Sequence, residues 1–249
     1  MKTAFVATTN HQRLLAAVAA VQRRAAREAG LILVTGHPGL GKTKSVRRFA
    51  IEHGAVYLRG KAHWTEHSAL RELCVELGDR HPPYGRDRLF HRVVERLAAA
   101  GFPALVVDEA DHLFHDSRTL ETFRDLNDTT ECVVIMVGME ALHAKVAKYP
   151  QVASRVGRVV EYQPATIDDV RALAGLAEVR IGADLVDHIT TASNGKIRLA
   201  LNALSVAEAH AKTNGLAEIG LAQTKDLPMI YEFQGPRPKL RALNGGNHK

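Results

Sequence analysis

The segment Gly36-His37-Pro38-Gly39-Leu40-Gly41-Lys42-Thr43 constrains this chain more than any other. It matches the pattern G-x-x-x-x-G-K-[ST]. It also stands between a short apolar run, Leu31-Ile32-Leu33-Val34, and a segment from Lys44 to about His53 that reads as a helix. A strand that passes into a helix through glycines lets successive backbone N–H groups turn inward around phosphate oxygens. The helix N-terminus adds partial positive charge. Lys42 is then placed to reach the β- and γ-phosphates of a nucleotide, and Thr43 to offer its hydroxyl to Mg²⁺.

A second motif follows the loop by about 65 residues. Ala104-Leu105-Val106-Val107 is a buried strand by composition, and it delivers two adjacent carboxylates, Asp108 and Glu109. Two carboxylates at the end of an apolar strand are costly unless a cation or a bound water uses them. Asp108 is placed to hold Mg²⁺ through its water shell, and Glu109 to polarise the water that attacks the γ-phosphate. Asp111-His112, just beyond, read as surface loop.

The remaining periodicity organises the chain around these motifs. Leu14, Val18, Val21 and Ala25 predict a helix from about Asn10 to Glu28 ended by Gly30. Ala55–Leu58 and Cys132–Val137 read as further strands, and 68–77, 89–100 and 118–126 as helices, with 81–85 a loop. Four apolar strands alternating with helices predict a parallel sheet covered on both faces. After Pro164, Thr166 and Asp169 form a capping box with Asp in the place of Glu or Gln. Helical patterns then run over 184–192 and 196–212 without a strand. The expected organisation is an N-terminal helix (1–30), an α/β nucleotide-binding unit (31–164), a small all-helical lid (165–227) and a flexible basic tail (228–249).

Charge is unevenly distributed. Residues 1–66 carry 11 basic and 3 acidic residues, 67–236 carry 18 and 24, and 237–249 carry 4 and none; the net values of +8, −6 and +4 sum to +6. Basic ends around an acidic middle point to a polyanionic partner. The 46% apolar fraction excludes a wholly disordered chain. Cys74 and Cys132 lack metal-ligand spacing and read as reduced, buried thiols. With no apolar leader and no run of about 18 apolar residues, a cytoplasmic, membrane-free protein is expected.

With these motifs in hand, the chain resembles the AAA+ ATPases over roughly residues 10–227, with Walker A at 36–43, Walker B at 104–109 and a helical lid after 165. The resemblance implies ATP and Mg²⁺ as ligands and ATP hydrolysis as the activity. It implies an arginine finger in the pair Ser154-Arg155, with Arg158 as competitor. In Asn194-Gly195-Lys196-Ile197-Arg198 it implies a sensor 2 pattern whose Arg198 touches the γ-phosphate of the same subunit. A finger would place the catalytic site between subunits, so self-association would be part of the chemistry. The fourth strand, Val134-Ile135-Met136-Val137-Gly138-Met139, lacks the usual polar sensor 1, which implies a slow, switch-like ATPase.

Compact size, a single module and the basic run after the second strand look like the transposition ATPases of the phage Mu B, TniB and TnsC type. That branch implies oligomers on duplex DNA, target selection and a transposase partner. The DNA contacts would fall on Arg59, Lys61 and Thr65, with Arg86 and Arg88 as weaker candidates. Trp64 reads equally as a packing residue. Lysine and arginine contacts of this kind give salt-sensitive binding that is mostly independent of sequence. Two alternatives stay open: a helicase-loader or replication-initiation protein of the IstB and DnaC type, and a nucleotide-gated interaction module with little turnover.

Overall fold

A computed structural model describes residues 1–231; the basic run at 237–249 lies outside the described residues. The centre is a five-stranded, all-parallel sheet of β1 (Leu31–Thr35), β2 (Val56–Arg59), β3 (Ala104–Asp108), β4 (Val133–Val137) and β5 (Val156–Glu161), in the order β2-β3-β4-β1-β5. β1, β3 and β4 are buried at every position, because helices cover both faces. Alternation divides their side chains between two cores. Leu31, Leu33, Leu105, Val107, Val134 and Met136 face α3 (Glu66–Glu76), α4 (Arg86–Ala100) and α5 (Ser117–Thr130). Ile32, Val34, Ala104, Val106, Ile135 and Val137 face α1 (Thr9–Gln22) and α2 (Lys42–His53).

Two departures from the sequence reading have local causes. α1 stops at Gln22, six residues short of Glu28. The Arg24 guanidinium bonds the carbonyls of Val21, Arg27 and Glu131, and Arg27 pairs with Glu131, so these arginines bind the helix end to the α5–β4 corner. β5 is a fifth strand that four apolar runs did not predict. It is an edge strand, covered on one side only, and its pairing with β1 slips at Gly157, where a Cβ would lie 2.4 Å from the Ala29 carbonyl. Two short helices, α6 (Leu142–Val146) and α7 (Pro150–Ala153), fill the β4–β5 connection.

Beyond Pro164 stand α8 (Ile167–Ala174), α9 (Ala183–Ala192) and α10 (Ile197–Thr213) around their own apolar core. The Thr166–Asp169 capping box forms as read, and Asp169 also accepts from Thr9 N and Thr9 Oγ1, joining the start of α1 to the lid. The lid is helical apart from a two-residue parallel pair, β6 (Arg180–Ile181) with β7 (Glu218–Ile219), too short to show alternation in sequence. Met229 is buried against this core. Among the described residues no helix is long and apolar enough to cross a membrane.

Cys74 and Cys132 are free and buried. Burial pushes both thiols up to about 11, so they remain protonated and unreactive at neutral pH. A thiol-exchange reagent at pH 8 is expected to modify neither until denaturant is added. Rapid labelling of the folded protein would contradict that.

Candidate nucleotide site

The loop after β1 adopts backbone angles that its glycines permit: Gly36, Gly39 and Gly41 all have positive φ. A Cβ at Gly36 would also lie 2.9 Å from the Tyr162 carbonyl. Lys42, in the first turn of α2, donates to the carbonyls of Gly36 (2.5 Å) and His37 (2.8 Å). Burial lowers its pKa, opposed mainly by the charges of Asp108 and Asp111. The loop therefore presents a cation, a ring of amides and a helix N-terminus to the same space.

Asp108 ends β3 and is 3% exposed. One carboxylate oxygen accepts from Glu109 N (2.9 Å) and the other from Tyr57 OH (2.9 Å); among the described residues it enters no ion pair. A buried carboxylate held by neutral donors alone fits a hard cation, and with the Thr43 hydroxyl it makes an oxygen donor set suited to Mg²⁺. Glu109 sits in the left-handed region at φ 54°. That turn is crossed closely by Gly60, whose N–H donates to the Asp108 carbonyl (2.7 Å) and whose missing Cβ would fall 2.7 Å from Glu109 O.

The Glu109 carboxylate meets a partner that sequence reasoning did not assign to it. Arg59 Nη2 lies 2.6 Å from Glu109 Oε1, and this bond holds the carboxyl below the usual carboxylate range. Nothing in linear order links Arg59 to Glu109; the parallel pairing of β2 with β3, which sets Arg59 opposite Asp108, does so.

Arg198 lies beside the loop. The first turn of α10 packs on the glycines: Arg198 N donates to Gly39 O (3.1 Å), and the Arg198 charge acts on Lys42. Asn194 (φ 49°) and Gly195 (φ 65°) make the turn that aims α10, and a Cβ at Gly195 would lie 2.6 Å from Pro164. Between loop and lid lies a cavity walled by Phe5, Val6, Gly41, Leu173, Ile197 and Leu201. Thr8, Lys44 and Ser45 add polar groups to this lining, and the N-terminal segment forms one wall. The run Met1–Thr9 carries no motif that would have revealed this.

Where a polar sensor 1 is missing, β4 leads into Gly138-Met139-Glu140. Met139 N donates to Asp111 Oδ2 (2.6 Å), so Asp111 ties the two strand ends together, and Glu140 pairs with His37 of the loop (2.6 Å). Arg155 lies elsewhere. Leu31 N donates to its carbonyl, which puts Arg155 at the start of β1 while the phosphate loop leaves the other end. Five residues of strand at about 3.3 Å each separate the two by roughly 15 Å, beyond the reach of an arginine side chain. Arg158, on exposed β5, bonds only its neighbouring Gly157 carbonyl among the described contacts.

The residues read as DNA contacts all lie on or after β2. Four of them have partners in the chain. Besides the Arg59–Glu109 pair, Lys61 meets Glu72 (2.6 Å), and Thr65 caps α3 through Ser68 N. Trp64 is a packing residue, 5% exposed and stacked on Phe123, with its Nε1–H donated to Glu72. Arg86 and Arg88 are exposed at the start of α4, and Arg86 faces Glu66 and Asp87.

Phosphate loop, paired carboxylates at the end of β3 (one strand removed from β1) and a helical lid whose Arg198 lies beside the loop together define an AAA+ ATPase. Residues 23–146 match the AAA domain family, and the chain belongs to this class. Within it, the relatives are transposition regulators. The chain is 27% identical over 177 residues to the Mu-like prophage FluMu DNA transposition protein B of Haemophilus influenzae, covering 66% of this chain and 61% of that protein. It is 25% identical over 154 residues to the ATP-dependent target DNA activator B of Escherichia phage Mu, covering 58% and 48%. The chain thus spans between about half and three-fifths of the length of these relatives. Among solved structures, Cdc6p from Pyrobaculum aerophilum superposes with a TM-score of 0.59 at 23% identity, over 84% of this chain and 62% of that one. The RuvB Holliday junction branch migration motor of Thermotoga maritima gives 0.59 at 16%, over 88% and 69%. At these identities the two structures speak for the fold.

Proposed function

We propose that this chain is a DNA-dependent ATPase that assembles with copies of itself on duplex DNA, selects target DNA and activates a transposase. The observation that carries the reading is the position of Arg155. Lys42, Thr43, Asp108, Glu109 and Arg198 gather at one end of the sheet, and the finger candidate sits at the other. A chain built this way completes its site only against a second copy. Thr43 and Asp108 would hold Mg²⁺, which would supply positive charge against the phosphates. Glu109 takes a proton from water as the water oxygen bonds the γ-phosphorus. The bond to the β-γ bridging oxygen breaks, and ADP and phosphate leave. The apolar end of β4 supports slow turnover. The similarity to a protein named as an ATP-dependent target DNA activator supports duplex DNA as the polymer on which assembly occurs. Lys61, Thr65, Arg86 and Arg88, together with Arg59 once it leaves Glu109, are the proposed contact set, binding backbone phosphates without reading bases.

Competition binding with ATP separates this reading from the helicase-loader one. The expected result is tighter binding to duplex than to single strands and a steep loss of affinity with salt, with helical filaments by negative-stain microscopy. A preference for single strands, or closed rings alone, would favour the loader.

A further inference from the structure

Asp128 lies in the last turn of α5, where the helix dipole disfavours an acidic side chain. Its carboxylate is taken up by Arg155: Nε lies 2.9 Å from Oδ1 and 3.2 Å from Oδ2, and Nη2 lies 3.1 Å from Oδ2. This is a side-on, two-pronged grip on the guanidinium. Ser154 Oγ accepts a further bond from Nη1 (3.2 Å). A guanidinium has five N–H groups, of which these contacts use three. Among the described contacts the two left over are one on Nη1 and one on Nη2, the pair of donors that can grip two oxygens of a phosphate. Both side chains of the ion pair are about one-third exposed.

We propose that Asp128, assisted by Ser154, is a positioning residue that holds Arg155 with these two donors unused, ready for the phosphates bound by a second copy of this chain. The inference rests on the intersubunit reading above. It adds that the finger is oriented before the partner arrives. A freely rotating arginine would have to be ordered on assembly, and a side-on carboxylate removes that cost without using the donors that meet phosphate.

Mixed oligomers test it. Asp128→Asn keeps the shape and loses the charge. Alone, it is expected to bind a fluorescent ATP analogue normally, to assemble on DNA, and to lose about tenfold in turnover. Mixed with Glu109→Gln subunits, which contribute an intact finger but no base, it recovers turnover. Mixed with Arg155→Ala subunits it does not. Added to Arg155→Ala in one chain, Asp128→Asn costs nothing more. Full turnover by Asp128→Asn alone would overturn the proposal. So would a loss that Glu109→Gln subunits cannot rescue, since the defect would then lie in the variant's own pocket or fold. Asp128→Glu, which retains the carboxylate, is expected to stay closer to the parent and controls for packing. If Arg155→Ala mixed with Glu109→Gln also fails to recover, the intersubunit site itself is wrong, a result distinct from failure of Asp128 alone.

Discussion

Replacing Lys42 with alanine abolishes nucleotide binding and, in the same step, ATP-dependent assembly on DNA. The ammonium is fixed over the carbonyls of Gly36 and His37, and Asp108 and Asp111 keep it charged against the opposing effect of burial. Removing a charged donor to phosphate costs about 3 kcal/mol, which is more than a hundredfold in affinity. The fold itself should survive. Lys42 stands in the first turn of α2, and the apolar face of that helix is made by Val46, Phe49 and Ala50. Titration with a fluorescent ATP analogue and microscopy of the same samples measure both consequences. Filaments formed normally by the variant would break the proposed link between nucleotide and assembly.

The parts of this site that could be read in sequence are those that lie in one stretch of chain. Gly36 to Thr43, the Asp108-Glu109 pair and the turn before Arg198 each carry their chemistry within a few residues, and the structure gathers all three. What could not be read arises where distant segments meet. The Arg59–Glu109 pair depends on the register of β2 against β3, and the cavity depends on Phe5 and Val6 lying against the lid. Trp64 shows the converse. An aromatic in a basic run reads equally as a contact or as packing, and only the fold, which buries it against Phe123, decides. β5 escaped for a third reason. A half-covered edge strand interrupted by Gly157 and Arg158 lacks the continuous apolar run that announces β1, β3 and β4.

Replacing Glu109 with glutamine separates binding from hydrolysis. The amide keeps the size of the side chain and cannot accept a proton from water, so turnover is expected to fall by roughly 10² to 10³. ATP affinity should hold, because Lys42, Thr43 and Asp108 are untouched. Assemblies on DNA should then outlive those of the parent. Arg59 gives the experiment its second arm. The 2.6 Å bond from Arg59 lowers the pKa of Glu109, and a lower pKa makes a weaker base. An arginine drawn away by a DNA phosphate would free the carboxylate and raise its basicity, so DNA would accelerate hydrolysis through the charge that otherwise restrains it. Arg59→Ala is therefore expected to raise DNA-free turnover several-fold and to shrink the stimulation by DNA. The Arg59→Ala, Glu109→Gln double variant should be as slow as Glu109→Gln alone. Turnover and filament lifetime unchanged in Glu109→Gln would remove Glu109 from the role of base. A normal Glu109→Gln result with Arg59→Ala still fully DNA-stimulated would leave the base in place and show that DNA acts by another route.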